Sequence, residues 1–346
     1  MGNCWTAAVP AAGSTVGGRR RRGEWSSRRH RGIKTVDVEE YHCEFSSVDH
    51  QKSDLCICVV TWNMNGQVCY EDLAELVGRH NAKERKYELL VVGLQEAPRR
   101  NIARLLQAAL ANTHMLLGKA IMQSLQLYVF GPCRSSQLLL TEVEVDKRSV
   151  GGCGGMARRK KGAVAIRINY KGISMLFISC HLAAHAGKVK ERNWESKDIT
   201  HSLFSKNSNP YSRPAHLTVW LGDLNYRIQG IDNFPVRKLI HNDLQSMLTG
   251  NDQLLQEAER GRVFDGFCEG TLTFKPTYKY DTGSSNYDTS HKVRVPSWTD
   301  RILFKIEERD EKVSANLHSY ESIDGIDSSD HKPVRAHLCL RLTDDK

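Results

Sequence analysis

The chain has 346 residues, 40% hydrophobic and 26% charged, which is enough apolar content for a large core and excludes a fibrous or wholly disordered chain. Its formal charge of +9 is lopsided: residues 1–34 hold eight Lys/Arg against one acid, so this leader carries +7 and the other 312 residues only +2. No apolar run approaches 18 residues, there is no signal-peptide pattern, and the ten cysteines show no metal-ligand spacing, with Cys56 and Cys58 too close for a zinc knuckle. A reduced, cytosolic protein without a disulfide framework is therefore expected.

The chain opens Met1-Gly2-Asn3-Cys4-Trp5-Thr6. Gly2 with Thr6 fits the myristoylation pattern, and Cys4 is placed for palmitoylation. One myristoyl chain binds membranes only marginally, so a second acyl chain or a basic run is needed for a stable anchor. This leader offers both, with Arg19 to Arg22, Arg28, Arg29, Arg31 and Lys34 suited to an anionic lipid surface. Nuclear import is the competing use of such a run. Residues 1–50 are expected to be a disordered, acylated leader, and residues 51–346 the folded domain.

Beyond the leader, strands are predicted at Leu55–Trp62, Leu89–Leu94, Leu125–Phe130 and Leu138–Val145. Between them, helices are predicted at Tyr70–Tyr87 and Asn101–Ala111, the latter with Ile102, Leu105, Leu106 and Ala109 on one face. Gly151 to Gly155 reads as a loop, and Ala163–Ile168 with Ser174–Ser179 as a strand pair joined at Tyr170-Lys171-Gly172. A strand at Leu217–Leu221, a helix at Val236–Leu248, and strands at Arg301–Ile306 and Val334–Leu340 complete the reading. The mixture predicts an α/β fold: a four-layer sandwich of two mixed β-sheets flanked by helices.

The chemistry-bearing residues stand where these strands begin or stop. Asn63 and Asn65 follow the first strand, Glu96 the second, His181 the Ser174 strand, and Asp223 and Asn225 the Leu217 strand; Asp300 precedes one later strand, Asp330 and His331 the last. Each motif alone is an ordinary turn, but the set supplies the parts for phosphate-ester hydrolysis. A hard cation needs oxygen ligands, for which Glu96 and Asp330 supply carboxylates and Asn63 and Asn65 can complete the shell. An attacking water needs a base and an orienter, available in Asp223 and Asn225. Charge developing on phosphoryl oxygens needs donors, available in His181 and His331, and Asp300 is the candidate to orient the His331 imidazole.

In this order the motifs resemble the inositol polyphosphate 5-phosphatases, a branch of the DNase-I-like fold shared with nucleases and AP endonucleases. Trp220-Leu221-Gly222-Asp223-Leu224-Asn225-Tyr226-Arg227 matches one family signature, and Arg294-x-Pro296-Ser297-Trp298-x-Asp300-Arg301-Ile302-Leu303 a second. The matching blocks run from Val59 to Val334, 276 residues. The resemblance implies Mg²⁺ held chiefly by Glu96, with Asn63 and Asn65 near it, and Asp223 and Asn225 positioning water. It implies His331 on the scissile phosphate, oriented by Asp300, with Asp330 beside it and His181 assisting, in an in-line attack without a phosphoenzyme. Whether Asp223 or His331 is the general base stays open at this point. Tyr278, Lys279, Lys292 and Arg294 resemble the family's clamp on the neighbouring 4-phosphate.

The chain departs from the family pattern twice. Lys160-Lys161-Gly162 stands where Asn-Lys-Gly is usual, after Arg158 and Arg159, and Thr299 stands where Cys is common. The resemblance makes the substrates phosphoinositide lipids, and the leader adds an anionic membrane surface and a location on the cytoplasmic face of a membrane such as the plasma membrane, or else in the cytosol; no nucleic-acid partner and a monomeric state are expected. A Mg²⁺-dependent nuclease of the same fold shares most of the catalytic set, so only the clamp and the acylation signal argue against it. A non-catalytic phosphoinositide-binding module is the third reading, against which no catalytic residue is missing.

Overall fold

The computed structural model describes residues 32–39, 54–78, 87–110, 113–133, 139–150, 161–205, 214–307 and 313–342. Gly2, Cys4, the arginine runs, the 151–155 loop and residues 158–160 lie outside them. No described helix is long and apolar enough to cross a membrane.

Two sheets form the centre. The seven-stranded sheet has the order β1 (Lys34–Val36), β10 (Cys268–Gly270), β11 (Asp300–Ile306), β9 (Leu217–Asp223), β8 (Ile173–His181), β7 (Lys161–Tyr170), β6 (Leu140–Val150). The six-stranded sheet has the order β12 (Val313–Ser322), β13 (Val334–Leu342), β2 (Leu55–Asn63), β3 (Leu89–Gln95), β5 (Leu125–Pro132), β4 (His114–Met122). Both are mixed, with β2 parallel to β3 and β8 parallel to β9 inside otherwise largely antiparallel ladders.

The sequence of β2 shows no polar alternation because both faces are buried. Leu55, Ile57 and Val59 enter the core between the sheets, together with Val219 and Leu221 of β9. Cys58, Val60 and Trp62 face outward under helices α1 (Tyr70–Leu76) and α2 (Ile102–Ala109). Across the molecule, Trp220 and Ile178 pack under α3 (Val189–Ser202) and α5 (Gln253–Glu259) through Ile199, Leu254 and Ala258. Helix, sheet, sheet, helix is the four-layer sandwich the sequence predicted. Each fully buried Leu, Ile or Val contributes about 1.5–3 kcal/mol.

Several expectations need correction. Lys34–Val36, assigned to the leader, pairs parallel with β10, so the fold begins before residue 51. The predicted Val236–Leu248 helix is α4 (Asn233–His241) followed by a separate 3₁₀ segment, Gln245–Asn251, broken where Asp243 takes φ 55°. α3 was missed because its buried face is Arg192, Glu195, Ser196 and Ile199, which leaves no apolar stripe to detect. The cysteines are not all unpaired either: the β13–β2 register sets Cys339 opposite Cys56, 4.0 Å apart at Cα, and they form a disulfide. A sequence separation of 283 hides that pairing from the sequence.

One buried charge network ties the layers behind β11. Arg301, fully buried, donates to both oxygens of Glu269 and, at 3.0 Å, to Asp252, the residue that caps α5. Removing one member of such a group costs about 3–5 kcal/mol because it strands the others.

Candidate active site

The parallel pairs β2/β3 and β8/β9 end on the same side, and their last residues stand in register: Asn63 with Gln95, His181 with Asp223, and Asp300 of β11 on the other flank of Asp223. Two glycines allow this convergence. A Cβ on Gly93 would lie 2.7 Å from Leu221 Cδ1 and 2.8 Å from Ser179 Oγ, so the sheets close together only with glycine there. Gly222, at φ 141°, would drive a Cβ to 2.1 Å from the Cys180 carbonyl oxygen.

Beyond the strand ends, Asn63-Met64-Asn65 and Asp223-Leu224-Asn225 fold alike. In each, the first side chain accepts a hydrogen bond from the backbone N–H two residues on, both at 3.1 Å, and the last residue takes positive φ, 46° and 58°. Glu96, half-buried after β3, also has positive φ, 50°, unusual for a residue without an Asx side chain. The motifs then join across the sheets, Asn63 Nδ2 donating to Asp223 Oδ2 at 3.0 Å.

Asp223 is held from several sides. His181 Nε2 lies 3.1 Å from its Oδ2. Burial pushes this carboxyl up, yet His181, His331 and Lys161 together hold it well below the usual carboxylate range. The two histidines are driven apart. Burial and the nearby Lys161 lower His181; for His331, burial also opposes charge, but Asp300, with its hydrogen bond, and Asp223 raise it above its ordinary value. His331 Nδ1 sits 2.8 Å from Asp300 Oδ2, an oxygen that also accepts from Thr277 and Thr299 hydroxyls at 2.7 and 2.9 Å. With Nδ1 committed to Asp300, Nε2 remains for the pocket.

The His331 loop is fastened to β2: Trp62 Nε1 donates to the His331 carbonyl at 3.2 Å and Ser329 Oγ to the Asn63 carbonyl at 2.6 Å. The His331 ring lies against Tyr278, centroids 4.4 Å apart, and the Arg227 guanidinium sits over that same Tyr278 ring, 4.3 Å from its centroid.

A pocket of about 120 Å³ collects these groups: Asn63, Asn65, Glu96, His181, Asp223, Asn225, Tyr278, Asp330 and His331 all line it. Asp300 stands behind His331, fully buried. Lys279 pairs with Asp330 at 3.7 Å. Lys292 and Arg294 line a second pocket of about 260 Å³, which shares Ala184, Arg227 and Tyr278 with the first. The structure thus assembles the predicted catalytic set in one place and puts part of the predicted clamp next door.

Two charged lining residues of the first pocket were not assigned from sequence. Arg227 donates to the carboxamide and carbonyl oxygens of Asn225, the latter at 3.2 Å. Lys161 contacts His181 Nε2, and burial lowers its pKa to about 8. Both sat in quoted motifs, but neither motif says that its cation turns into the pocket. α3 also matters: buried Arg192 donates to the carbonyls of Ala183 and His185 at 3.0 and 2.7 Å, and Glu195 accepts from the Ala183 N–H at 2.7 Å. A polar helix face thereby shapes the rim at Ala184.

The profile described as Endonuclease/Exonuclease/phosphatase family 2 matches residues 60–337. The type IV inositol polyphosphate 5-phosphatase 11 of Arabidopsis thaliana is 61% identical over 316 residues, 91% of this chain and 90% of that protein. The chain belongs to the inositol polyphosphate 5-phosphatase family. Human synaptojanin-1 is 32% identical over 286 residues, 72% of this chain but only 18% of that much longer protein. The 5-phosphatase domain of SpSynaptojanin, solved with inositol (1,4)-bisphosphate and a calcium ion, superposes with TM-score 0.71 at 29% identity, covering 84% of this chain and 87% of that one. Cimex nitrophorin superposes nearly as well, TM-score 0.67 at 22% identity, and shows only that the fold is shared. Within this 5-phosphatase, Glu96, Asn63 and Asn65 give the pocket one carboxylate and two carboxamides, with Asp223 facing them. An all-oxygen donor set with one or two carboxylates suits a hard divalent cation.

Proposed function

We propose that this chain is a Mg²⁺-dependent phosphatase that removes the 5-phosphate from inositol phospholipids such as the 4,5-bisphosphate and 3,4,5-trisphosphate. The supporting observation is the pairing of a compact pocket, in which His331–Asp300 faces Asp223 and Asn225, with an adjoining basic pocket that holds Lys292 and Arg294.

Glu96, Asn63 and Asn65 would hold the cation, which supplies Lewis-acid neutralisation of the phosphoryl oxygens. Asp223, ionised and oriented by Asn63 and the Asn225 N–H, accepts the proton of the attacking water. His331, kept protonated by Asp300, donates from Nε2 to a phosphoryl oxygen and stabilises charge there without having to reorganise. Lys161 and Arg227 add positive charge at the rim. Water adds to phosphorus in line, the phosphorus–oxygen ester bond breaks, and the inositol 5-oxygen leaves as a hydroxyl by taking one proton from solvent, which balances the one that the attacking water gives up to Asp223 and that Asp223 then returns to solvent. Tyr278, Lys279, Lys292 and Arg294 hold a neighbouring phosphate that is not cleaved.

The leader places the reaction. Myristoylated at Gly2, palmitoylated at Cys4 and basic from Arg19 to Arg31, it anchors the enzyme to the cytoplasmic face of an anionic membrane.

The test is phosphate release from a panel of lipid and soluble inositol phosphates with Mg²⁺ or EDTA. Release from 5-phosphorylated lipids that EDTA abolishes is expected. Nicking of plasmid or abasic DNA without phosphoinositide turnover would establish the nuclease reading instead, and binding without release the non-catalytic one.

A further inference from the structure

β2 has chemistry at both ends. Asn63 closes one end at the catalytic pocket; Cys56, seven residues back, lies about 23 Å away at roughly 3.3 Å per residue. There the antiparallel register places Cys339 opposite Cys56 and His337 opposite Cys58. Residues two apart on a strand share a face, so His337 and Cys339 point to the same side of the sheet. The Cys56 and Cys339 sulfurs and one imidazole nitrogen of His337 all lie within 4.8 Å of one another, with His337 Nε2 3.9 Å from Cys339 Sγ. Both cysteines are buried and His337 is half-buried.

Two sulfurs and an imidazole are soft ligands, the opposite of the oxygen set around Glu96. With metal–sulfur bonds near 2.3 Å and metal–nitrogen bonds near 2.0–2.1 Å, tetrahedral ligand atoms stand roughly 3.5–3.8 Å apart. The His337–Cys339 separation is close to that spacing. Only the two bonded sulfurs are too close, and breaking their bond lets them part. The rings of His318 and Tyr87, 5.8 and 6.4 Å from His337 between centroids, hem in the imidazole.

We propose that Cys56, Cys339 and His337 form a second, thiolate–imidazole metal site that takes a zinc-class divalent cation once the Cys56–Cys339 disulfide is reduced. A thiol reductant of the dithiol or glutathione class supplies two electrons and two protons, leaving as its own disulfide and the protein as two thiols. The cation then displaces both thiol protons to solvent and bonds two thiolates and the neutral imidazole, with water in the fourth position. β13 thus stays clasped to β2 in either redox state, by a covalent bond or by a metal. The site lies apart from the catalytic pocket and needs none of its residues.

The test uses the full chain, reduced, freed of reductant and given Zn²⁺ or Co²⁺ in excess Mg²⁺. The expected result is one equivalent of zinc per chain, a near-ultraviolet thiolate-to-cobalt charge-transfer band with tetrahedral visible absorption, and a zinc-dependent rise in Tm. Oxidised protein should show none of these. His337→Gln, which leaves both sulfurs in place, should lower zinc affinity by at least about tenfold, since even supporting groups around a metal are worth 10–100-fold. Glu96→Gln should keep the cobalt spectrum unchanged. The proposal is overturned if reduced wild type gives a cobalt spectrum without sulfur charge transfer, or if His337→Gln keeps full affinity. Zinc lost in Glu96→Gln but kept in Cys339→Ser would also overturn it.

Discussion

The two pockets that meet at Tyr278 and Arg227 are built on different terms. In the first, each working group is fixed by buried partners: His331 by Asp300, Asp223 by Asn63 and His181, and Asn225 by the Leu182 carbonyl at 3.1 Å. In the second, Lys292 and Arg294 ride on a loop whose Val293 is 45% exposed. The loop is held by backbone contacts: the Arg294 N–H to Asp288 at 2.8 Å, and the Asn233 side chain to the carbonyls of residues 293 and 294 at 3.1 and 2.6 Å. Buried, pre-set charges suit a transition state, which tolerates no reorganisation. Longer side chains on a fastened loop suit recognition, where a phosphate is gripped but left intact.

The largest effects should come from the first pocket. Asp223→Ala or His331→Ala should lower kcat by about 10²–10⁴-fold, with far-ultraviolet circular dichroism and Tm near wild type. More than a tenth of the wild-type rate in either variant would mean that the fixed pocket is not where the chemistry occurs.

Lys161 sharpens the comparison because it is a half-buried cation whose pKa is lowered to about 8. Its positive charge is present below that value and lost as pH rises through it, so kcat/KM should fall by up to about tenfold per pH unit on the alkaline side. Arg stays protonated over that range, so Lys161→Arg should flatten that limb, at a lower maximum. An unchanged limb in a full pH–rate profile would assign the loss to His331, whose raised pKa also falls in that direction.

The second pocket should discriminate rather than catalyse. Lys292→Ala should reduce kcat/KM about tenfold or more on substrates with a 4-phosphate and far less on the 3,5-bisphosphate, because a charge-assisted contact is lost only where that phosphate exists. Equal losses on both substrates would make Lys292 a general electrostatic contributor.

The leader should matter least to the chemistry itself. Gly2→Ala should leave turnover of short-chain soluble substrate unchanged while shifting the protein from the membrane to the soluble fraction of fractionated cells. Cys4→Ser should weaken attachment without abolishing first contact. A membrane-bound Gly2→Ala protein would mean that the arginines or another surface hold it.

The strands were legible because apolar runs such as Leu55–Trp62 and Leu89–Leu94 are local, and burial of both sheets leaves them nearly unbroken. The catalytic set was legible because strand ends carry it in two long, characteristic motifs, around Asp223 and around Asp300. α3 was not, because tertiary contacts to a loop, rather than an apolar stripe, explain its buried Arg192 and Glu195. Nor was the short strand Lys34–Val36, whose three residues gain their stability from β10 more than 230 positions away.

Sequence alone therefore determined the sandwich, the family and most of the residues that line the first pocket, since each rests on patterns a few residues long. Tertiary structure decided which cations line the pocket and which histidine is raised and which lowered in pKa. Lys161 turns into the pocket, and its fall in pKa depends on burial that only the folded chain creates. Cys56 and Cys339 are unremarkable in a cysteine count, yet a shared register makes them a pair with His337 beside them. Such properties depend on distances between residues remote in the chain, and those distances exist only after the two sheets have closed.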